Sequence, residues 1–124
     1  MVSIDRMHEM LEEIAEQFPE EFFEKLNGGI ALLPEAKRSS YAQADDLYIL
    51  GEYHRDTMGR YIYLYYGSFC RVHGHLSEPE LYEELYQTVS HEFTHHIEDL
   101  AGERGLEIRD AEDLEDYLWG DEES

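Results

Sequence analysis

The stretch that decides the fold runs from Ser77 to Leu100 and reads SEPELYEELYQTVSHEFTHHIEDL. Ser77 with Glu80 three residues later forms a capping box, and Pro79 is tolerated in a first helical turn. Apolar side chains then recur at helical spacing, so the stretch predicts one long helix that ends near Leu100. The apolar side of that helix comprises Tyr82, Leu85, Tyr86, Val89, Phe93, Ile97 and Leu100.

The polar side of the predicted helix carries a HExxH run, from His91 to His95. At about 100° per residue, the two histidines lie roughly 40° apart and opposite the apolar stripe. Imidazoles one turn apart can bind one Zn²⁺, and Glu92 can act as general base on a water molecule that the metal activates. The run therefore predicts a zinc site with His91 and His95 as ligands and Glu92 as the catalytic residue.

A catalytic zinc needs a third protein ligand as well as an open position. We expect Asp110 in this role, because the connection from Gly102 to Arg109 is long enough to return toward the metal. Glu115 and Glu98 remain alternatives, although Glu98 lies about 10 Å along the helix axis from His91. His96 winds into the apolar arc, and we expect a core histidine bonded to the main chain there.

The rest of the chain predicts an α+β fold in one domain, residues 1–124. Ser3 is a plausible N-cap for a first helix, Pro19 can open a second, and Asn27-Gly28-Gly29 ends it. Asp110 is a plausible N-cap for a last helix, and residues 69–75 carry no clear pattern. The periodicities predict helices over 4–18, 20–26 and 110–118, strands over 30–33, 47–53 and 61–66, a loop over 35–46 and a turn over 55–59.

Composition limits the partners of the protein. The net charge is −21, from 30 acidic and 9 basic residues, which argues against nucleic acid and anionic membrane surfaces as partners. Cys70 is the single cysteine, so no internal disulfide can form. The first residues lack the pattern of a signal peptide, and no stretch is apolar enough to span a bilayer. We expect a cytoplasmic protein, whose oligomeric state the sequence leaves open.

Three segments resemble the small zincin-like metallopeptidases of bacteria. They are Leu47-Tyr48-Ile49-Leu50-Gly51-Glu52-Tyr53, the strand Tyr61 to Tyr66 closed by Gly67, and Thr88-Val89-Ser90-His91-Glu92-Phe93-Thr94-His95-His96. The resemblance implies a zincin-like α+β fold, in which a small antiparallel or mixed sheet lies over the active-site helix. It also implies an edge strand beside the metal that can bind an extended peptide.

The sequence departs from the family pattern after the second histidine. Glu98 stands where the common version has a glycine, and Ala101 stands where it has the aspartate presumed to be the third ligand. The segment 108–114 looks like the aspartate-containing segment displaced by an insertion, which supports Asp110.

Two functions are compatible with these features. The first is a zinc-dependent metallopeptidase, in which Zn²⁺ on His91, His95 and Asp110 polarises a peptide carbonyl and Glu92 activates the water. The second is a non-catalytic, metal-stabilised protein-binding module with an acidic surface. A closed four-ligand site would favour the second function, whereas an open ligand position would favour the first.

Overall fold

The computed structural model describes residues 1–39 and 47–103, and its elements make an α+β fold. The described chain has three α-helices, one short 3₁₀ helix and five strands. In chain order these are α1 (Ile4–Glu16), the 3₁₀ helix (Glu20–Phe23), β1 (Ile30–Leu33), β2 (Lys37–Arg38), β3 (Tyr48–Ile49), β4 (Gly51–Asp56), β5 (Gly59–Tyr65), α2 (Tyr66–His73) and α3 (Glu78–Glu103). The predicted α+β class is confirmed.

The main sheet is mixed and has the order β1-β5-β4. Strand β1 pairs with β5 in parallel, and β4 pairs with β5 in an antiparallel hairpin. Asp56 pairs with Gly59 at the hairpin turn, where Gly59 has a φ of 132° that suits a residue without a side chain. Strand β4 is therefore an edge of this sheet among the described residues.

The core lies between the sheet and the helices. Helix α3 contributes the predicted stripe, and its fully buried Val89 and Phe93 share one core with Ile62 and Leu64 of β5. Helix α1 packs against α3 and adds four buried residues. The buried core cluster comprises Met7, Met10, Leu11, Ile14, Phe18, Phe22, Leu26, Ile62, Leu64, Phe69, Leu81, Leu85, Val89, Phe93 and Ile97.

The predicted helix starts are confirmed at two positions. The Ser3 side chain accepts a hydrogen bond from the Arg6 main-chain N–H at 3.1 Å. In the capping box, the Ser77 N–H donates to Glu80 at 3.1 Å, and the Ser77 hydroxyl also bonds that carboxylate. These contacts satisfy helix-end groups that would otherwise lack partners.

Two predicted boundaries near the helices are wrong. The second helix is only the 3₁₀ turn at 20–23, because the main chain becomes extended at Glu24 and left-handed at Lys25, where φ is 61°. Strand β5 runs over Gly59–Tyr65 rather than over 61–66, and Tyr66–His73 continues as α2. The predicted last helix lies outside the described residues.

The segment before β5 also differs from the prediction. Within the predicted loop, Lys37–Arg38 pairs with Tyr48–Ile49 in a separate two-stranded sheet. The predicted strand 47–53 is accordingly divided at Leu50 into β3 and β4, which belong to different sheets.

Within the described residues, no helix combines the length and apolar character needed to cross a membrane.

Candidate metal centre and cleft

The HExxH run lies on the side of α3 that faces the edge strand β4. His91 and His95 are exposed, and their Nε2 atoms are 3.1 Å apart. The rings meet edge to face, with centroids 4.6 Å apart and an interplanar angle of 84°. Two nitrogens on a tetrahedral Zn²⁺, each about 2.0–2.1 Å from the metal, would be about 3.3 Å apart. The pair therefore fits the spacing that a zinc ion requires.

The protonation of His91 also suits metal binding. Although His91 is exposed as a residue, partial desolvation of its imidazole, followed by the neighbouring His95, lowers the pKa of that ring below its ordinary value. A lowered pKa favours the neutral ring at neutral pH, and only the neutral ring can ligate a metal.

Glu92 lies beside the histidines but is buried, with 6% of its surface exposed. Burial raises the pKa of its carboxyl group to about 7, and the negative charge of Glu52 adds to the effect. A hydrogen bond from the main-chain N–H of Tyr53 acts in the opposite direction. A carboxyl group with a pKa near neutrality can both take up and release a proton, which general acid–base catalysis requires.

The main-chain N–H and C=O groups of β4 that do not pair with β5 lie on the edge of the strand that faces this side of α3. The Tyr65 N–H donates to the Leu50 carbonyl at 2.9 Å, which fixes the alternation of the antiparallel ladder. The main-chain groups of Gly51, Tyr53 and Arg55 accordingly point away from β5. A Cβ on Gly51 would lie 3.0 Å from Thr88 Cγ2, so glycine lets the strand approach α3 closely at this point.

Two open clefts of about 630 Å³ each flank Glu92, which contributes to both. The first cleft also borders His91 and the second also borders His95. The remaining lining of the first cleft is Tyr48, Ile49, Leu50, Gly51, Glu84, Gln87 and Thr88. The remaining lining of the second is Glu52, Tyr53, Arg55, Glu98 and Asp99. The histidine pair therefore lies at the junction of two cavities open to solvent.

Asp99 links the helix to strands β4 and β5. Its Oδ2 accepts from the Tyr53 hydroxyl at 2.7 Å and from Arg60 Nε at 2.9 Å, and its Oδ1 accepts from Arg55. Burial opposes ionisation of Asp99, but the bonds from Tyr53 and Arg60 outweigh it and hold its pKa below the ordinary value. This network fixes the spacing between the helix and the edge strand at the far end of the second cleft.

His96 is the predicted core histidine. It is fully buried, and its Nε2 donates to the main-chain carbonyl of Glu24 at 2.8 Å. Its Nδ1 lies 3.1 Å from the Tyr53 hydroxyl, so the side chain belongs to the same helix-to-strand contact as Asp99. The prediction of a main-chain hydrogen bond is confirmed.

Among the described residues, no candidate for a third ligand is grouped with the histidine pair. Asp110 and Glu115 lie outside residues 1–39 and 47–103, and within those ranges no three His, Cys, Asp or Glu side chains are grouped to hold a metal. Glu98 lies along the second cleft and forms no such group with His91 and His95. Asp99 forms ion pairs with Arg55 and Arg60 instead.

Sequence reasoning placed an edge strand beside the metal site but missed the side-chain contacts that join strand β4 to helix α3. The pairing of Tyr53 with Asp99 and His96 joins residues more than 40 positions apart, which no local pattern reveals. Gly51 within an apolar strand pattern is the one available signal, since such glycines mark a close approach of backbone. His73 Nε2 lies 3.6 Å from Glu84 Oε2, and Glu84 lines the first cleft.

The fold and the site together define a small α+β protein with a histidine pair beside a sheet edge. No family model and no curated protein matches the chain. A solved structure of a conserved hypothetical protein from Thermus thermophilus is similar, with a TM-score of 0.72 and 33% sequence identity. The similarity covers 82% of this chain and 99% of that chain. The chain belongs to the same family as that protein.

Proposed function

We propose that the protein is a zincin-like, zinc-dependent metallopeptidase that hydrolyses peptide bonds. The observation that carries the proposal is the 3.1 Å separation of the His91 and His95 Nε2 atoms, with the buried carboxyl group of Glu92 next to them. Two histidines and a glutamate at this spacing on a cleft-facing helix are the constellation of a catalytic zinc site.

The zincin-like arrangement is supported by the relation of helix and sheet. Helix α3 packs beneath a small mixed sheet, and the edge strand β4 runs beside the histidine pair. An extended peptide can add to such an edge by main-chain hydrogen bonds. The outward main-chain groups of Gly51 and Arg55, together with the carbonyl of Tyr53, would hold it across the junction of the two clefts.

The chemistry divides between the metal and the chain. His91 and His95 would hold Zn²⁺, with Asp110 proposed as the third ligand on the strength of the family resemblance. When bound, Zn²⁺ would polarise the scissile carbonyl and lower the pKa of the attacking water. Glu92 would take the proton from that water and pass it to the leaving amine. Its burial and the charge of Glu52, which raise its pKa toward neutrality, suit both transfers.

The competing function is a metal-stabilised binding module with an acidic surface. The exposure of both histidines and the two clefts beside them favour the metallopeptidase over this module, because a substrate can reach the site.

On the metallopeptidase proposal the partner is a peptide or protein substrate, and neither nucleic acid nor a membrane is involved. We propose a cytoplasmic location on the same sequence grounds as above.

Substitution of Glu92 separates the two functions. Glu92→Gln should lower kcat/KM by at least about 100-fold, because it removes the general base. Hydrolysis is measured by mass spectrometry on a mixture of synthetic octapeptides. Zinc content should stay unchanged. Glu83→Gln, on an exposed position of the same helix, is the control and should keep full activity. Equal activity of the Glu92→Gln and wild-type proteins would overturn the proposed mechanism.

A further inference from the structure

Among its described lining residues, the second cleft has one cationic side chain, that of Arg55. The guanidinium of Arg55 has more N–H donors than its contact with Asp99 uses. Its Nη1 bonds Asp99 Oδ1, and within residues 1–39 and 47–103 the structure gives its guanidinium no other partner. The side chain is 56% exposed, whereas Arg60, the other arginine bound to Asp99, is 12% exposed. Of these two arginines, Arg55 is therefore the one accessible to a molecule in the cleft.

The position of Arg55 along the strand relates it to the proposed catalytic centre. Arg55 follows Tyr53 by two residues, which is about 7 Å along an extended strand. Both residues point their main-chain groups away from β5. A peptide paired with that edge across Glu92 would thus bring a group one or two residues from the scissile bond to the Arg55 guanidinium.

The charge balance in this cleft permits an anion to bind despite the net charge of the chain. Four carboxylates line the cleft, those of Glu52, Glu92, Glu98 and Asp99. Lys37 Nζ bonds Glu52 at 2.6 Å and Arg60 bonds Asp99 at 2.9 Å, so with Arg55 three cations offset most of that charge. More distant charges are screened over about 8 Å at physiological salt.

We propose that Arg55 is a specificity residue that binds a carboxylate of the peptide substrate, one or two residues from the scissile bond. A guanidinium fork and a carboxylate match in shape and can form two parallel hydrogen bonds. The carboxylate can be the C-terminus of a short peptide or an aspartate or glutamate side chain. The inference rests on the proposed function for the scissile bond, but the binding step can be measured without hydrolysis.

The test is a nuclear magnetic resonance titration of ¹⁵N-labelled Glu92→Gln protein with EDTA present, so that a metal ion cannot bind the carboxylate. The probes are acetyl-Ala-Leu-Ala-Leu-Ala-Ala with a free C-terminus, its C-terminal amide, and the amide of acetyl-Ala-Leu-Ala-Glu-Ala-Ala. At least one carboxylate peptide should bind about two to five times more tightly than the neutral amide, as expected for a half-exposed charge pair. The arm that shows the preference identifies the source of the carboxylate.

Three further variants distinguish recognition of the carboxylate from support of Asp99. Adding Arg55→Gln should abolish the preference and Arg55→Lys should retain part of it, whereas Arg60→Gln should leave it unchanged because Arg60 does not line the cleft. Equal binding of acid and amide, an equal loss in Arg60→Gln, or no peptide binding would overturn the inference. Because hydrolysis is not measured, absence of peptidase activity in the wild type would refute the proposed function and leave this result standing.

Discussion

Replacing Asp99 by asparagine tests the contact that holds helix α3 to strands β4 and β5. The substitution keeps the shape of the side chain and removes its charge, which leaves Arg60 with a neutral partner at 12% exposure. Breaking a buried ion pair costs about 3–5 kcal/mol, and an exposed pair contributes about 0–1 kcal/mol. Asp99 is 19% exposed and Arg55 is 56% exposed, so we expect a loss of about 2–3 kcal/mol at pH 7.

The effect should depend on pH in a defined direction. The pKa of Asp99 is lower in the folded protein than its ordinary value of about 3.9, so its stabilisation is complete above that value. The stabilisation is lost as the pH falls through the folded-state pKa. The difference in unfolding free energy between wild type and Asp99→Asn should therefore shrink below about pH 4.

Urea unfolding followed by circular dichroism, at pH 7 and at pH 3 to 4, measures both effects. With a typical slope of about 1–3 kcal/mol per molar, the urea midpoint at pH 7 should fall by roughly 1–2 M. Glu83→Gln, on the exposed face of the same helix, is the control and should change the midpoint little. A loss below about 0.5 kcal/mol at pH 7, or a difference independent of pH, would refute the reasoning about this network.

Three further substitutions test the packing around the site by urea unfolding. Gly51→Ala places a Cβ 3.0 Å from Thr88 Cγ2 and should cost about 1–3 kcal/mol, whereas Gly102→Ala, with open space around it, should cost nothing. Phe93→Ala leaves a cavity at a fully buried position and should lower the free energy of unfolding by about 3–5 kcal/mol. A decrease under about 1 kcal/mol would contradict the described core. Ser77→Ala removes the capping box and should cost about 1 kcal/mol, with no change expected if the helix began elsewhere.

The helix of the site could be predicted because its signals are local. A capping box and an apolar stripe of period 3.6 lie within one continuous stretch, and each is confirmed in α3. The burial of His96 followed from the same periodicity. The strand pattern at 61–66 likewise identified β5, because alternating aromatic and branched residues favour a half-buried strand.

The start of helix α2 and the contacts between β4 and α3 could not be predicted, because they depend on residues far apart in the sequence. Gly67 packs against the main chain at Glu35, where a Cβ would lie 2.6 Å from the carbonyl carbon. The Gly67 N–H donates to the Glu35 carbonyl at 3.0 Å, which gives a partner to an N–H in the first turn of α2. The roles of Tyr53 and Asp99 arise only when β4 lies along α3. Asp110 stays a prediction, since it lies outside the described residues.

The most direct test of the central claim is the zinc content and coordination of the purified protein. X-ray absorption at the zinc edge, after incubation with one equivalent of Zn²⁺ and gel filtration, should show one zinc per chain with two imidazole nitrogens at about 2.0 Å and additional oxygen ligands. His91→Ala should bind no zinc under the same conditions while it remains folded by circular dichroism. A wild-type chain that retains no zinc, or a His91→Ala chain with the wild-type zinc spectrum, would contradict the assignment of His91 and His95 as a metal site.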